Sequence, residues 1–273
     1  MTQTTWRLLN TGYADGPTNM AIDEAIMILH SQGRVTPTIR FYRWKPACLS
    51  IGYAQSMRKE VALERCQTAK VDVVRRPTGG RAILHDRELT YSLVARDDNP
   101  LVSGGIVESY RKISEGIVRG LRLLGADAVA AEHRVSPPVG KTAACFDSPS
   151  HYEVTVAGRK IVGSAQMRRQ GVVLQHGSLL LEVDAQRMFD LLCVPSEALR
   201  RQLAAEFRGQ VVSLHEALGR EVTFEEAAVA VATGFEAAFG IRLAPDALSV
   251  EEQDVAGRLR AEKYATDTWN FLR

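Results

Sequence analysis

The sequence predicts an α+β fold, a mixed/antiparallel sheet flanked by helices, with a helical C-terminal part. One observation behind this is a set of short β-branched and aromatic runs between turn residues, from TIRFYRW to LTYSLVA and again from YEVTVAGRK to HGSLLLEV. A second is a long apolar run at helical spacing between those two groups. The third is a change beyond residue 184 to stretches rich in Ala, Glu, Leu and Arg. A chain of 273 residues can bury one large core, so residues 1–273 are expected to form a single domain, with residues 184–273 mainly helical and packed on the sheet.

Taken in order, Trp6 to Leu9 predicts a short strand, and PTNMAIDEAIMILHSQG a helix with Pro17 in its first turn and Gly33 past its end. Its apolar positions Met20, Ile22, Ala25, Ile26 and Leu29 lie near one face. Strands are expected at TIRFYRW, CLSIGY, VDVVRR, RAILH and LTYSLVA, with a helix at MRKEVALERCQ, which suggests a sheet built largely from meanders. Ile106, Val107, Tyr110, Ile113, Ile117, Leu121 and Leu124 repeat at helical spacing and Gly125 closes the pattern. The Pro-rich HRVSPPVGKTAACFDSPSH predicts an irregular loop. Strand patterning then returns, with turns at Ala157-Gly158 and Gln170-Gly171, and is expected to form a second sheet layer. The later helices start at AQRMFDLL, SEALRRQLAAEF, TFEEAAVAVATGFEAAF and SVEEQDVAGRLRAEKY, and Thr223 with Glu226 and Ser249 with Glu252 have capping-box spacing.

A net charge of +2 argues for neither nucleic acid nor membrane as a partner, and no apolar run approaches the length of a membrane span. Cys48, Cys66, Cys145 and Cys193 form no CxxC pair, which argues against a zinc site and a disulfide framework and points to a reducing, cytoplasmic compartment.

The chemistry-bearing segments are few. RRPTGGRAILH sets Arg75, Arg76 and Arg81 around Gly79-Gly80; a Gly-Gly turn allows close approach to backbone, and arginines attract anions, although a solvated hairpin has the same signature. Cys145 stands in the small-residue loop TAACFDSPS, where a thiol can be reached and N–H groups can surround an oxyanion, while Cys48, Cys66 and Cys193 sit in apolar patterns and read as inert. Lys160 follows a turn, so it is either a solvated hairpin charge or a cation lowering the Cys145 pKa. Gly163, Ser164 and Ala165 leave space beside their strand. His85, His151 and His176 are candidate general bases without metal-ligand spacing.

The order RRPTGGRAILHDRELTYSL, AACFDSPSHYEV, GRKIVGSAQ and QHGSLLL, with a weaker echo in KYATDTWNF, resembles the biotin/lipoate protein ligase and octanoyltransferase family, above all its cysteine-dependent octanoyltransferases. The resemblance implies a mixed sheet flanked by helices with an acyl tunnel beside the RRxxGG segment. It implies transfer of octanoyl from acyl carrier protein, through a thioester on Cys145 assisted by Lys160, to a lysine of a lipoyl domain such as glycine cleavage H protein. Substrate contact is then expected from Arg75, Arg76, Gly79, Gly80, Arg81, His85, Gly163, Ser164 and Ala165, with the arginines facing the carrier or its phosphopantetheine arm. No cofactor is expected, neither ATP nor metal, and the protein is expected to be a monomer. ATP-dependent ligases of the family read RRxxGGG and lack the loop cysteine, whereas here Arg81 follows Gly79-Gly80. An amidotransferase between lipoyl domains, and a lipoyl-binding module without catalysis, share many of these features.

Overall fold

The computed structural model describes residues 4–131 and 153–273. Strand β1 (Thr5–Ala14) leads through helix α1 (Gly16–Ser31) to β2 (Thr38–Trp44), and β1 and β2 pair in parallel, so the chain opens with a crossover. Asp15 caps α1 by accepting from the Thr18 N–H, with Pro17 in the first turn. Then come β3 (Cys48–Ile51), the short helices α2 (Met57–Glu60) and α3 (Leu63–Thr68), β4 (Asp72–Arg75), β5 (Ile83–His85) and β6 (Glu88–Arg96). Helix α4 (Ile106–Leu123) follows, ended by Gly125 at φ +96°. After it come β7 (Ala128–Ala131), β8 (Glu153–Val156), β9 (Arg159–Arg169) and β10 (Val172–Leu180). The last part holds α5 (Ala185–Asp190), α6 (Glu197–Gln210), α7 (Leu214–Leu218), α8 (Phe224–Phe239), β11 (Arg242–Asp246), α9 (Val250–Leu259) and α10 (Asp267–Asn270), with a π-turn at Arg260–Tyr264 after α9.

Among the described residues the strands form an eight-stranded sheet, ordered β11-β1-β2-β6-β10-β9-β8-β7, and a three-stranded sheet, β4-β3-β5. Helices α4 and α8 cover one side of the large sheet over a core that includes Trp6, Tyr91, Ile113, Leu121, Val162 and Phe235. Helix α1 packs through Met20, Ile26 and Met27 against Tyr42, Trp44 and Leu174. The small sheet packs against α5 and α6 through Leu49, Ile51, Met188, Phe189 and Phe207.

Several sequence expectations are corrected. The strands β8, β9 and β10 extend the first sheet instead of forming a second layer, because β10 pairs antiparallel with β6 along its whole length. The meander picture fails where β1 pairs with β2, and β3 with β4, in parallel. The helix expected over 57–67 is broken at Val61, which adopts extended backbone and bridges Leu192. Strand β11 was not anticipated at all. Both expected turns are present, with positive φ at Ala157, Gly158, Gln170 and Gly171. Ser249 and Glu252 form a reciprocal capping box, while Thr223 accepts from the Glu226 N–H and the Glu226 carboxylate pairs with Arg220.

Candidate active site

Strands β9 and β10, the end of β2, and the small sheet enclose a cavity of about 360 Å³, counting the space open at its mouth. Gly163, Ser164 and Ala165 of β9 form one wall and His176, Gly177 and Ser178 of β10 the adjoining one. Met20, Tyr42 and Trp44 supply apolar surface, and Ser50, Arg76 and His85 the side toward the small sheet. The walls meet closely because position 177 is glycine: a Cβ there would lie 2.4 Å from Ser164 Oγ and 2.7 Å from the Gly163 carbonyl oxygen.

Two buried polar networks underlie this cavity. Asp23, from the apolar face of α1, accepts from Arg40 Nη1 at 2.7 Å, Tyr42 OH at 2.9 Å and Ser92 Oγ at 2.7 Å, and meets His176 Nδ1 at 3.3 Å. Burial works to raise the Asp23 pKa, but the Arg40 charge and the hydrogen bonds from His176 and Ser92 carry it below the usual carboxylate range. His176 Nε2 lies 2.7 Å from Thr78 Oγ1, which ties this network to the RRPTGG segment. Burial lowers the His176 pKa against the pull of Asp23, so the ring is neutral at neutral pH, with Nδ1 donating to Asp23 and Nε2 accepting from Thr78.

The second network centres on Glu88. Its Oε1 accepts from His85 Nδ1 at 2.7 Å, from Ser178 Oγ at 2.8 Å and from Thr90. Thr90 in turn accepts from Trp44 Nε1 at 2.7 Å, and the Trp44 and His85 rings stack at 4.1 Å. His85 Nε2 faces Ser50 Oγ at 2.8 Å, and Ser50 also accepts from Arg76 Nη1 at 3.0 Å. The positions of His85 and His176 are therefore fixed by hydrogen bonds at both ring nitrogens.

The expected site residues divide clearly. His85, Arg76, Gly163, Ser164 and Ala165 come together at the cavity. Gly79 and Gly80 lie exposed at the adjoining turn, and Gly80 has φ +91°, which favours glycine. Arg76 does not face outward: its guanidinium donates to the carbonyls of Gly79, Arg81 and Ser50 and so braces that turn from within. Arg75 is fully buried, and its guanidinium donates to the carbonyls of Gly52, Tyr53, Gln55, Trp269 and Asn270. Of the three arginines expected to face a carrier, only Arg81 keeps a partly exposed side chain, 3.4 Å from Glu60.

Lys160 is no solvated hairpin charge. It is 7% exposed, and its Nζ lies 2.7 Å from Glu153 Oε1 across the β8–β9 pair. Cys145 and His151 lie outside the described residues. Cys48 and Cys66 are buried, and burial pushes their thiols up, Cys66 to about 11 with a further contribution from Cys193. Cys193 is exposed, against the inert buried role expected of it. The sequence reading missed Asp23, Arg40, Trp44, Ser50 and Glu88; the one available signal was a carboxylate at position 23 on the same helix face as Met20 and Ile26. Among the described residues no cluster of His, Cys, Asp and Glu could hold a metal, and no helix is long and apolar enough to cross a membrane.

A mixed sheet with a cavity walled by a small-residue strand and by two hydrogen-bonded histidines, next to a braced Gly-Gly turn, defines a protein built to hold a small group against β9 and β10. Residues 15–236 match the lipoyl protein ligase A/B catalytic domain, and the chain belongs to that family. Over its length the chain is 51% identical to the octanoyltransferase LipM of Kyrpidia tusciae, covering 98% of this chain and 99% of that one. It is 44% identical to the octanoyltransferase LipM of Bacillus subtilis, covering both chains completely. In structure it is similar to the bipartite lipoate protein ligase of Thermoplasma acidophilum, solved in work on that ligase and its E2 lipoyl domain, with a TM-score of 0.82, 28% identity and coverage of 98% and 96%.

Proposed function

We propose that this chain takes octanoyl from acyl carrier protein as a thioester on Cys145 and passes it to the ε-amine of a lysine on a lipoyl domain, such as glycine cleavage H protein. That it is an octanoyltransferase follows from full-length likeness to octanoyltransferases at 51% and 44% identity. The observation that supports the cysteine route is Lys160: a buried cation on β9, about 10 Å along the strand from Gly163 at the cavity wall. In this reaction the Cys145 thiolate attacks the donor thioester, the tetrahedral oxyanion collapses with cleavage of the donor C–S bond, and the carrier leaves as a thiolate that takes a proton from solvent. The neutral lysine amine then attacks the enzyme thioester, the C–S bond breaks as the amide forms, the amine loses a proton to solvent, and the Cys145 thiolate is released. Lys160 favours the thiolate and the developing oxyanion. The acyl group arrives activated, so neither nucleotide nor metal is needed. The site is set in a cytoplasmic enzyme acting as a monomer.

Intact mass of the protein mixed with octanoyl carrier protein, with ATP absent and magnesium chelated, should show one octanoyl adduct that moves to an apo lipoyl domain. Cys145→Ala should show neither adduct nor transfer. Efficient ligation of free octanoate only with ATP and magnesium would establish a ligase instead, and transfer only from an octanoylated lipoyl domain an amidotransferase.

A further inference from the structure

The face around the Gly79-Gly80 turn differs chemically from the rest of the surface. Tyr53, 38% exposed, has its ring 5.8 Å from that of Trp269, and the Arg273 guanidinium lies 5.4 Å from the Tyr53 ring centre. Arg58 lies 4.8 Å from the ring of Phe271, and Lys263 Nζ 4.1 Å from that of Trp269. Lys59 is exposed beside Arg58. The Tyr53 N–H donates to the Thr78 carbonyl at 2.9 Å, and a Cβ on Gly52 would lie 2.0 Å from the Gly80 carbonyl oxygen. Residues 53–60, the Gly-Gly turn and residues 269–273 therefore make one face, joined to the cavity through Arg76, which lines the cavity and holds the Gly79 carbonyl.

Three of its cations gather without ion pairs, whereas many of those on other faces are paired. Among the described residues, Arg34 pairs with Glu251, Arg96 with Asp98, Arg119 with Glu115, Arg208 with Glu216 and Arg220 with Glu226. Arg58, Lys59 and Arg273 have no carboxylate at ion-pair distance among them. Glu60, the nearest acid in this segment, is turned onto Gln55 Nε2 at 2.6 Å and Arg81 at 3.4 Å. Exposed arginine beside tyrosine and tryptophan is the composition of a protein-binding surface.

We propose that this face docks the acyl donor as an acidic carrier protein, whose carboxylates meet Arg58, Lys59, Arg81 and Arg273 while Tyr53 and Trp269 supply apolar contact. The inference rests on the octanoyl transfer proposed above. It assigns the face to the donor because a patch beside the cavity suits a partner that reaches in with a flexible arm. An acceptor must bring its lysine straight onto the thioester. The exposed Gly79-Gly80 turn touches both, meeting Gly52 on the side of the patch and the cavity-lining Arg76 on the other.

The test compares donors in the full chain carrying Arg58→Glu and Arg273→Glu together. The KM for octanoyl carrier protein should rise about tenfold and become insensitive to ionic strength, since steering between opposite charges is what salt screens. The KM for octanoyl-N-acetylcysteamine, a small thioester with no carrier, and the KM for the lipoyl domain should not move. Acylation of the unmodified protein by the small thioester checks the transfer chemistry separately. Against that background, an unmoved carrier KM, a rise confined to the lipoyl-domain KM, or an equal loss with the small donor overturns the docking assignment.

Discussion

Asn270 Oδ1 accepts the Arg75 backbone N–H at 2.8 Å, and the Arg75 guanidinium donates to the Asn270 carbonyl at 2.9 Å, so residues 195 positions apart hold each other twice. Trp269 closes the arrangement by donating its indole N–H to the Arg75 carbonyl at 2.8 Å. The KYATDTWNF motif thus acts as a clasp on the segment that carries the Gly-Gly turn. Asn270→Ala should cost about 2 kcal/mol, because it leaves the buried Arg75 N–H unsatisfied. Arg75→Ala should cost more, about 4 kcal/mol, because it orphans a set of buried carbonyls at once. Urea unfolding checks both, and a change under 0.5 kcal/mol for Arg75→Ala contradicts the clasp.

Gly177→Ala tests the cavity wall. The added methyl meets Ser164 Oγ, the Gly163 carbonyl and the Tyr91 ring at 2.4 to 2.7 Å, and only the hydroxyl can turn away. A stability loss of about 2 kcal/mol, together with a fall of more than about tenfold in octanoylation rate, is expected from denaturation and single-turnover measurements. Normal turnover in this variant would mean that the acyl chain does not use this cavity.

Lys160→Met should destabilise by about 3 kcal/mol, because it leaves the Glu153 carboxylate buried without its ion pair. Adding Glu153→Gln should restore part of that loss in a double-mutant cycle. Thiol alkylation supplies the second readout: the rate at neutral pH should stay low in the double variant, since stability returns but the cation does not.

The pH dependence of stability follows from His176. Its folded pKa is lowered, so as pH falls through about 6.5 the unfolded chain takes up a proton before the folded one does, and stability is lost on acidification. Asp23, also lowered, adds a further loss as pH falls from about 3.8 toward its folded value. Charges facing His176 come from Asp23, Arg76 and His85, and His30, lowered by burial, contributes to the same slope. His176→Gln should flatten the change in urea midpoint between pH 7.5 and 5.5; an unchanged slope would assign it to His30 or other groups.

Helical periodicity placed α4 correctly because it buries one face along its length, while α1, β2 and β10 are buried on nearly all sides and were placed by apolar, β-branched and aromatic content between turn residues. Neighbour choice is not recorded: HGSLLLEV reads as a strand whether it joins β6 or starts a new layer. β11 escaped because RLAPD has no alternation and its partner Trp6 lies at the other end of the chain. Of the cavity, the small-residue wall at Gly163–Ala165 and His85 were legible. Arg75 and Arg76 were not distinguishable from surface charges, since adjacency in sequence does not say that a guanidinium turns inward to gather carbonyls. Asp23 could have been noticed, as a carboxylate on the helix face of Met20 and Ile26, although Glu24 beside it carries the same signal.

The pairing of β11 with β1, from Thr5 opposite Arg242 to Leu9 opposite Asp246, also has a temporal meaning. A ribosome delivers β1 long before its outer neighbour β11, so the nascent chain carries an open strand edge while the intervening residues are made. Closure of that edge must await a long-range contact, which favours slow refolding and leaves the edge open to other strands until β11 arrives.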